Sequence, residues 1–133
     1  MPKQHSFAEL HIKIAHIDPP IWRAVHVDEQ VTLRQLHHII QAAFGWNSAH
    51  PYQFVAGNRI YTNLDYTEGR SVKPDQKILD DRKIKLTGLL DEHMEFKYHY
   101  DFGDDWIHLI TCSDAFNVDE RPRMAIVTGG EFA

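Results

Sequence analysis

Asp101, Asp104, Asp105 and His108 fall within eight positions of one another, in the run Asp101-Phe102-Gly103-Asp104-Asp105-Trp106-Ile107-His108. Three carboxylates and an imidazole at a tight turn could hold a divalent cation, since carboxylate oxygens suit Mg²⁺, Ca²⁺ or Mn²⁺ and imidazole suits transition metals. If Asp101 and His108 sit opposite each other on a hairpin they share a face, and a cation there would supply the electrophile of a hydrolase or nuclease. The same residues also make an ordinary turn. Aspartate bonds nearby backbone N–H groups, and a histidine facing an aspartate forms a simple ion pair. Both readings stand on the sequence, and no cofactor beyond that divalent metal is implied.

Trp22, Arg23, Trp46 and Trp106 form a second group. Each tryptophan stands beside a turn, and arginine can stack on indole or grip a carboxylate or phosphate with two N–H groups. These residues either close the ends of the core or line a ligand groove between the Pro19-Pro20 turn and the last hairpin. His37 and His38 are neighbours on an expected helix, so their side chains diverge by about 100° and cannot serve one metal ion together. His37 flanks the apolar stripe; His38 points into solvent. No His-Glu-x-x-His motif or paired-cysteine spacing occurs. Cys112 lies on an expected strand without an activating partner, which suits inert packing. Ser6, Ser48, Ser71 and Ser113 lack a nucleophile elbow, and Gly129-Gly130 opens no phosphate-binding helix. No catalytic residue is assigned.

The elements that would position these groups read in order. Residues 7–15 alternate, Leu10, Ile12 and Ile14 against His11 and Lys13, which predicts a half-buried strand. Asp18-Pro19-Pro20 turns the chain, and residues 21–27 form a second strand. Thr32 and Gln35 match a capping box, so a helix begins at Leu33. Leu33, Leu36, Ile40, Ala43 and Phe44 form its apolar stripe, and Gly45 stops it in the left-handed conformation. Residues 52–55 and 59–61 flank a Gly57-Asn58 turn as a short hairpin. Residues 62–81 read as a long polar surface loop, and Ile84, Leu86, Leu89 and Leu90 as a helical turn plugging the core. Phe96, Tyr98, Tyr100 and Phe102 alternate with charged or polar residues and turn into residues 106–112, giving a last hairpin with one aromatic face.

A chain of 133 residues, 43% hydrophobic and 25% charged, suits one globular domain. No repeat or Gly/Ser linker divides it. No apolar run nears the ~18 residues of a membrane span, and the first residues lack the apolar core of a signal peptide. With a single cysteine, a reducing cytoplasm is the expected compartment. The formal net charge of −5 is mixed along the chain, which disfavours binding to nucleic-acid phosphate. Ten histidines make that charge pH-dependent below about 6. The expected fold is α+β, β-grasp-like: a mixed or mainly antiparallel sheet of five to six strands with one long helix across one face.

Three words, Pro19-Pro20-Ile21-Trp22-Arg23, residues 36–46 from Leu36-His37-His38 to Phe44-Gly45-Trp46, and residues 100–108, stand in the order seen in the plasmid pRiA4b ORF-3-like family, which the chain resembles from about Phe7 onward. The resemblance implies an uncharacterised domain, residues 1–133, associated with plasmids or mobile elements; members have been labelled resolvase-like or transposon passenger proteins. The family's usual continuation resembles Cys-Pro-Pro-Glu-Asp, which implies truncation at the C-terminus, and Met124 stands where many members have cysteine. The functional expectation is a non-enzymatic binding or interaction module for a protein or peptide. Its rivals are a divalent-metal-dependent hydrolase or nuclease using Asp101, Asp104, Asp105 and His108, and a DNA-associated accessory protein.

Overall fold

The computed structural model describes residues 5–15, 21–46, 51–63, 77–100, 106–118 and 125–131. Among these residues eight strands and two helices run in the order β1 (His5–Ile14), β2 (Trp22–Asp28), α1 (Leu33–Phe44), β3 (Tyr52–Ala56), β4 (Arg59–Thr62), β5 (Lys77–Asp80), α2 (Leu86–Leu90), β6 (Glu95–Tyr100), β7 (Trp106–Val118) and β8 (Ala125–Glu131). All eight strands form one sheet in the order β5-β4-β3-β6-β7-β1-β2-β8. Every pairing is antiparallel except β4 with β5.

Period-two alternation decides which side chains face α1. Leu10 stands opposite Val25 and Cys112, Ile12 opposite Arg23 and Ile110, Tyr98 opposite Phe54 and His108, and Tyr100 opposite Tyr52 and Trp106. These cross-strand rows share one face. Leu33, Leu36 and Ile40 of α1 bury completely in the same cluster, each contributing on the order of 2 kcal/mol by removal from water. Thr32 caps α1 as its spelling requires, its hydroxyl accepting from Gln35 N–H at 3.1 Å while the Gln35 side chain accepts from Thr32 N–H at 2.8 Å. The remaining first-turn N–H groups find carbonyls outside the helix: Leu33 donates to Ile84 O and Arg34 to Asp81 O. α1 is thereby tied to the segment leading into α2.

The expected fold class needs correction. The sheet has eight strands rather than five or six, and the helices are short, twelve and five residues, so the molecule is dominated by one broad sheet and is not β-grasp-like. Two unexpected strands account for the difference. The supposed loop 62–81 ends in β5, which lies parallel to β4. β8 pairs with β2 and carries Gly129-Gly130 opposite Ala24 and Arg23, beside a register shift at Ala24 and Val25. Among the described residues no helix is long and apolar enough to cross a membrane.

Candidate functional site

Of the four predicted ligand residues, Trp46 and Trp106 meet at one end of the sheet, where α1 stops, and Arg23 reaches the same helix end. Gly45 takes φ 74°, a conformation that disfavours any side chain, and closes the helix with its N–H to Ala42 O and the Trp46 N–H to Gln41 O at 2.8 Å. That reversal lays the Trp46 indole on the Tyr100 ring, stacked at 5.0 Å and 20°, with the Trp106 ring 6.0 Å away. Trp46 and Trp106 are each half-buried. Arg23 joins the same end from β2. It is buried, its Nε donates to Ala43 O at 3.1 Å, and its guanidinium lies 5.1 Å over the Phe44 ring. A cation bonded to the last carbonyls of a helix also opposes the helix dipole.

Trp22 is not part of this group. Adjacent residues of a strand point to opposite faces, and with Arg23 turned toward α1, Trp22 faces the other way and stacks on His11 at 4.9 Å and 22°. His26 pairs with Glu9 at 2.9 Å on that far face. The sequence grouping of Trp22 with Arg23 thus fails on the two-residue period.

His108 lies at the centre of the aromatic end and is wholly buried. Phe44, Trp46 and Tyr98 surround its ring edge-on at 5.1 to 5.2 Å. Its Nδ1 faces two backbone oxygens, Tyr98 O at 3.3 Å and Trp106 O at 3.2 Å. Carbonyls only accept, so Nδ1 carries the proton and donates. Burial, against some support from those carbonyls, lowers the His108 pKa to about 4, so the ring is neutral at pH 7 and Nε2 is a bare lone pair. None of the described residues donates to it. Asp101, Asp104 and Asp105, the other members of the expected metal group, lie outside the described residues. Among the described residues no three His, Cys, Asp or Glu side chains gather as metal ligands.

A second buried polar group went unnoticed in the sequence. His37, on the sheet side of α1, stacks on Tyr52 at 3.6 Å and 7°, while its neighbour His38 is exposed as expected. Gln41 Nε2 donates to the Tyr98 hydroxyl at 2.9 Å, so that hydroxyl gives its own proton to His37 Nδ1 at 2.5 Å. Burial, with smaller contributions from His38 and Arg34, lowers the His37 pKa to about 3. Tyr52 donates to the fully buried Asp81 carboxylate, which also holds Arg34 through Nε at 3.0 Å and Nη2 at 2.9 Å. Burial and the Asp81 charge raise the Tyr52 pKa. A signal existed: His37 and Gln41 follow Leu33 at steps of four, on the apolar stripe itself. Cys112 is buried, in keeping with packing.

A family model described as plasmid pRiA4b ORF-3-like protein matches residues 6–133. The chain is 30% identical over 128 residues to the uncharacterized protein y4hQ of Sinorhizobium fredii (strain NBRC 101917 / NGR234), covering 93% of this chain and 63% of that protein. The chain therefore spans less than two thirds of that relative's length. Its fold is similar to the crystal structure of MM3350, a protein of unknown function from Methanosarcina mazei Go1, with a TM-score of 0.81 and 27% identity over 98% of this chain and 72% of the other.

Proposed function

The chain belongs to the plasmid pRiA4b ORF-3-like family, and on that footing we propose that it is a non-enzymatic binding module that takes a protein or peptide at the aromatic end of its sheet. One observation carries the reading: Trp46 and Trp106 lie 6.0 Å apart, both half-buried, on a floor of Tyr100 and His108. Large rings half-sunk in a rigid frame bury much area on contact while losing little side-chain freedom, which is why such residues dominate protein interfaces. The frame is fixed by β-ladder pairing from β3 to β2 and by the Arg23 bond to the helix end.

The chemistry of the described groups favours recognition over turnover. A general acid or base must reach its substrate and titrate near the working pH. His37 and His108 are buried and neutral down to about pH 3 and about pH 4. The net charge of −5 favours a protein over a nucleic-acid partner.

A displayed peptide library panned against the whole chain tests this. Enriched peptides should lose about tenfold or more in affinity for Trp46→Ala and Trp106→Ala variants whose circular dichroism matches the parent. No enrichment, or affinities that ignore both substitutions, would contradict the reading.

A further inference from the structure

The geometry points to a second docking surface, on the face of the sheet turned away from α1, whose occupant is an acidic, extended segment of a partner protein with apolar residues at its ends. Period two sends Val55, Lys97, Leu109, Lys13 and Trp22 to that face. Strand pairing sets them side by side in this order, from β3 through β6, β7 and β1 to β2. Four strand spacings make a row about 19 Å long, the span of about seven extended residues.

The middle of the row is positive. Lys13 and Lys97 are exposed on either side of half-buried Leu109, about 10 Å apart at the backbone. Among the described residues neither forms an ion pair, although the chain as a whole carries a net charge of −5. Glu9, on the same face, is already held by His26 at 2.9 Å. Two ammonium groups left open in an acidic chain complement two separate carboxylates.

The ends of the row are apolar. Beside Lys97, between Val55 and Leu109, lies an open cavity of about 220 Å³, room for one leucine-sized side chain. Glu95 also lines it, so the residue entering there is uncharged and the carboxylates fall toward Lys97 and Lys13. At the other end half-buried Trp22, stacked on His11, offers ring surface next to Lys13. A nucleic acid would instead bring a continuous line of phosphates against Glu95 and the net charge of −5.

The test titrates the ¹⁵N-labelled whole chain with two synthetic peptides, acetyl-Leu-Ser-Glu-Ser-Glu-Ser-Phe-amide and its counterpart with glutamine in place of both glutamates. Alternation puts the leucine, the two glutamates and the phenylalanine on one side of the extended peptide. The acidic peptide should shift the backbone signals of Lys13, Val55, Lys97 and Leu109 and leave those of Trp46 and Trp106 in place. It should bind about three- to tenfold more tightly than the glutamine form, the gain expected of two exposed ion pairs. That preference should shrink as NaCl rises from about 50 to about 300 mM. It should vanish in a Lys13→Gln, Lys97→Gln double variant, which alters only exposed side chains. Equal binding of the two peptides, binding of neither, or shifts confined to Trp46 and Trp106 would each overturn the inference. So would a thymidine oligonucleotide that moves the same signals at lower concentration, or self-association of the free chain through these residues. The aromatic-end reading stands or falls separately, on Trp46→Ala and Trp106→Ala.

Discussion

The two buried imidazoles make opposite use of the same ring. His37 accepts at Nδ1 from the Tyr98 hydroxyl, so its proton sits on Nε2; His108 donates from Nδ1 to two carbonyls, so its Nε2 is bare. The first belongs to a region where the polar groups answer one another, from Gln41 through Tyr98 to His37, and from Tyr52 through Asp81 to Arg34. The second sits among rings, its outer nitrogen unanswered by any described residue. A satisfied network fixes how a helix sits on a sheet, whereas among the described residues nothing donates to His108 Nε2. Both rings are buried, so hydrogen bonding is what chiefly distinguishes the two histidines.

The sharpest way to break the comparison is at Asp81. Asp81→Ala strands the Arg34 guanidinium and the Tyr52 hydroxyl against the core and should lower unfolding stability in urea by about 3 kcal/mol, with the aromatic end unaffected. A loss under about 1 kcal/mol would mean that the network does not hold α1 in place.

Acid treats the two regions alike. An unfolded histidine takes up a proton near pH 6.5, but folded His37 and His108 do so only at about 3 and about 4. The unfolded chain therefore binds more protons in between. Stability is fully present above pH 6.5 and falls as pH drops toward 4. Between pH 6.5 and 5 the two rings together account for at most about 4 kcal/mol, at about 1.4 kcal/mol per ring and pH unit. Replacing His37 with Phe should flatten this slope by about half; an unchanged slope would show that His37 titrates normally.

Gly45→Ala is the gentlest probe. At φ 74° a Cβ meets no neighbour, so the penalty is backbone strain alone, about 1 kcal/mol in thermal or urea unfolding. Because Trp46 hangs from this residue, the substitution should also change its fluorescence, leaving the His37 region untouched.

The sequence made the local rules visible and hid the distant ones. Thr32, Gln35 and Gly45 mark both ends of α1 because caps are spelled within a few residues, and the alternation through Phe96, Tyr98 and Tyr100 marks β6 for the same reason. β5 escaped because four residues, Lys77–Asp80, carry no period of their own and are strand only through parallel pairing with β4. β8 escaped because its glycines weaken strand propensity, and pairing with β2 is what holds it. At the site, Trp46 lies beside both Trp106 and His108, and Arg23 lies over Phe44 next to them, whereas Trp22 was grouped by adjacency although its strand turns it away. The role of His37 depends on Tyr98, sixty-one residues later in the chain, a distance over which no spacing rule reaches.

One spectrum puts the contrast to the test: the ring-nitrogen ¹⁵N resonances of His37 and His108 in the free protein at pH 7. Opposite tautomers should appear, with the proton on Nε2 in His37 and on Nδ1 in His108, and with His108 Nε2 at the extreme position of a nitrogen that neither carries nor accepts a proton. A proton on His108 Nε2, or the same tautomer in both rings, would contradict the account.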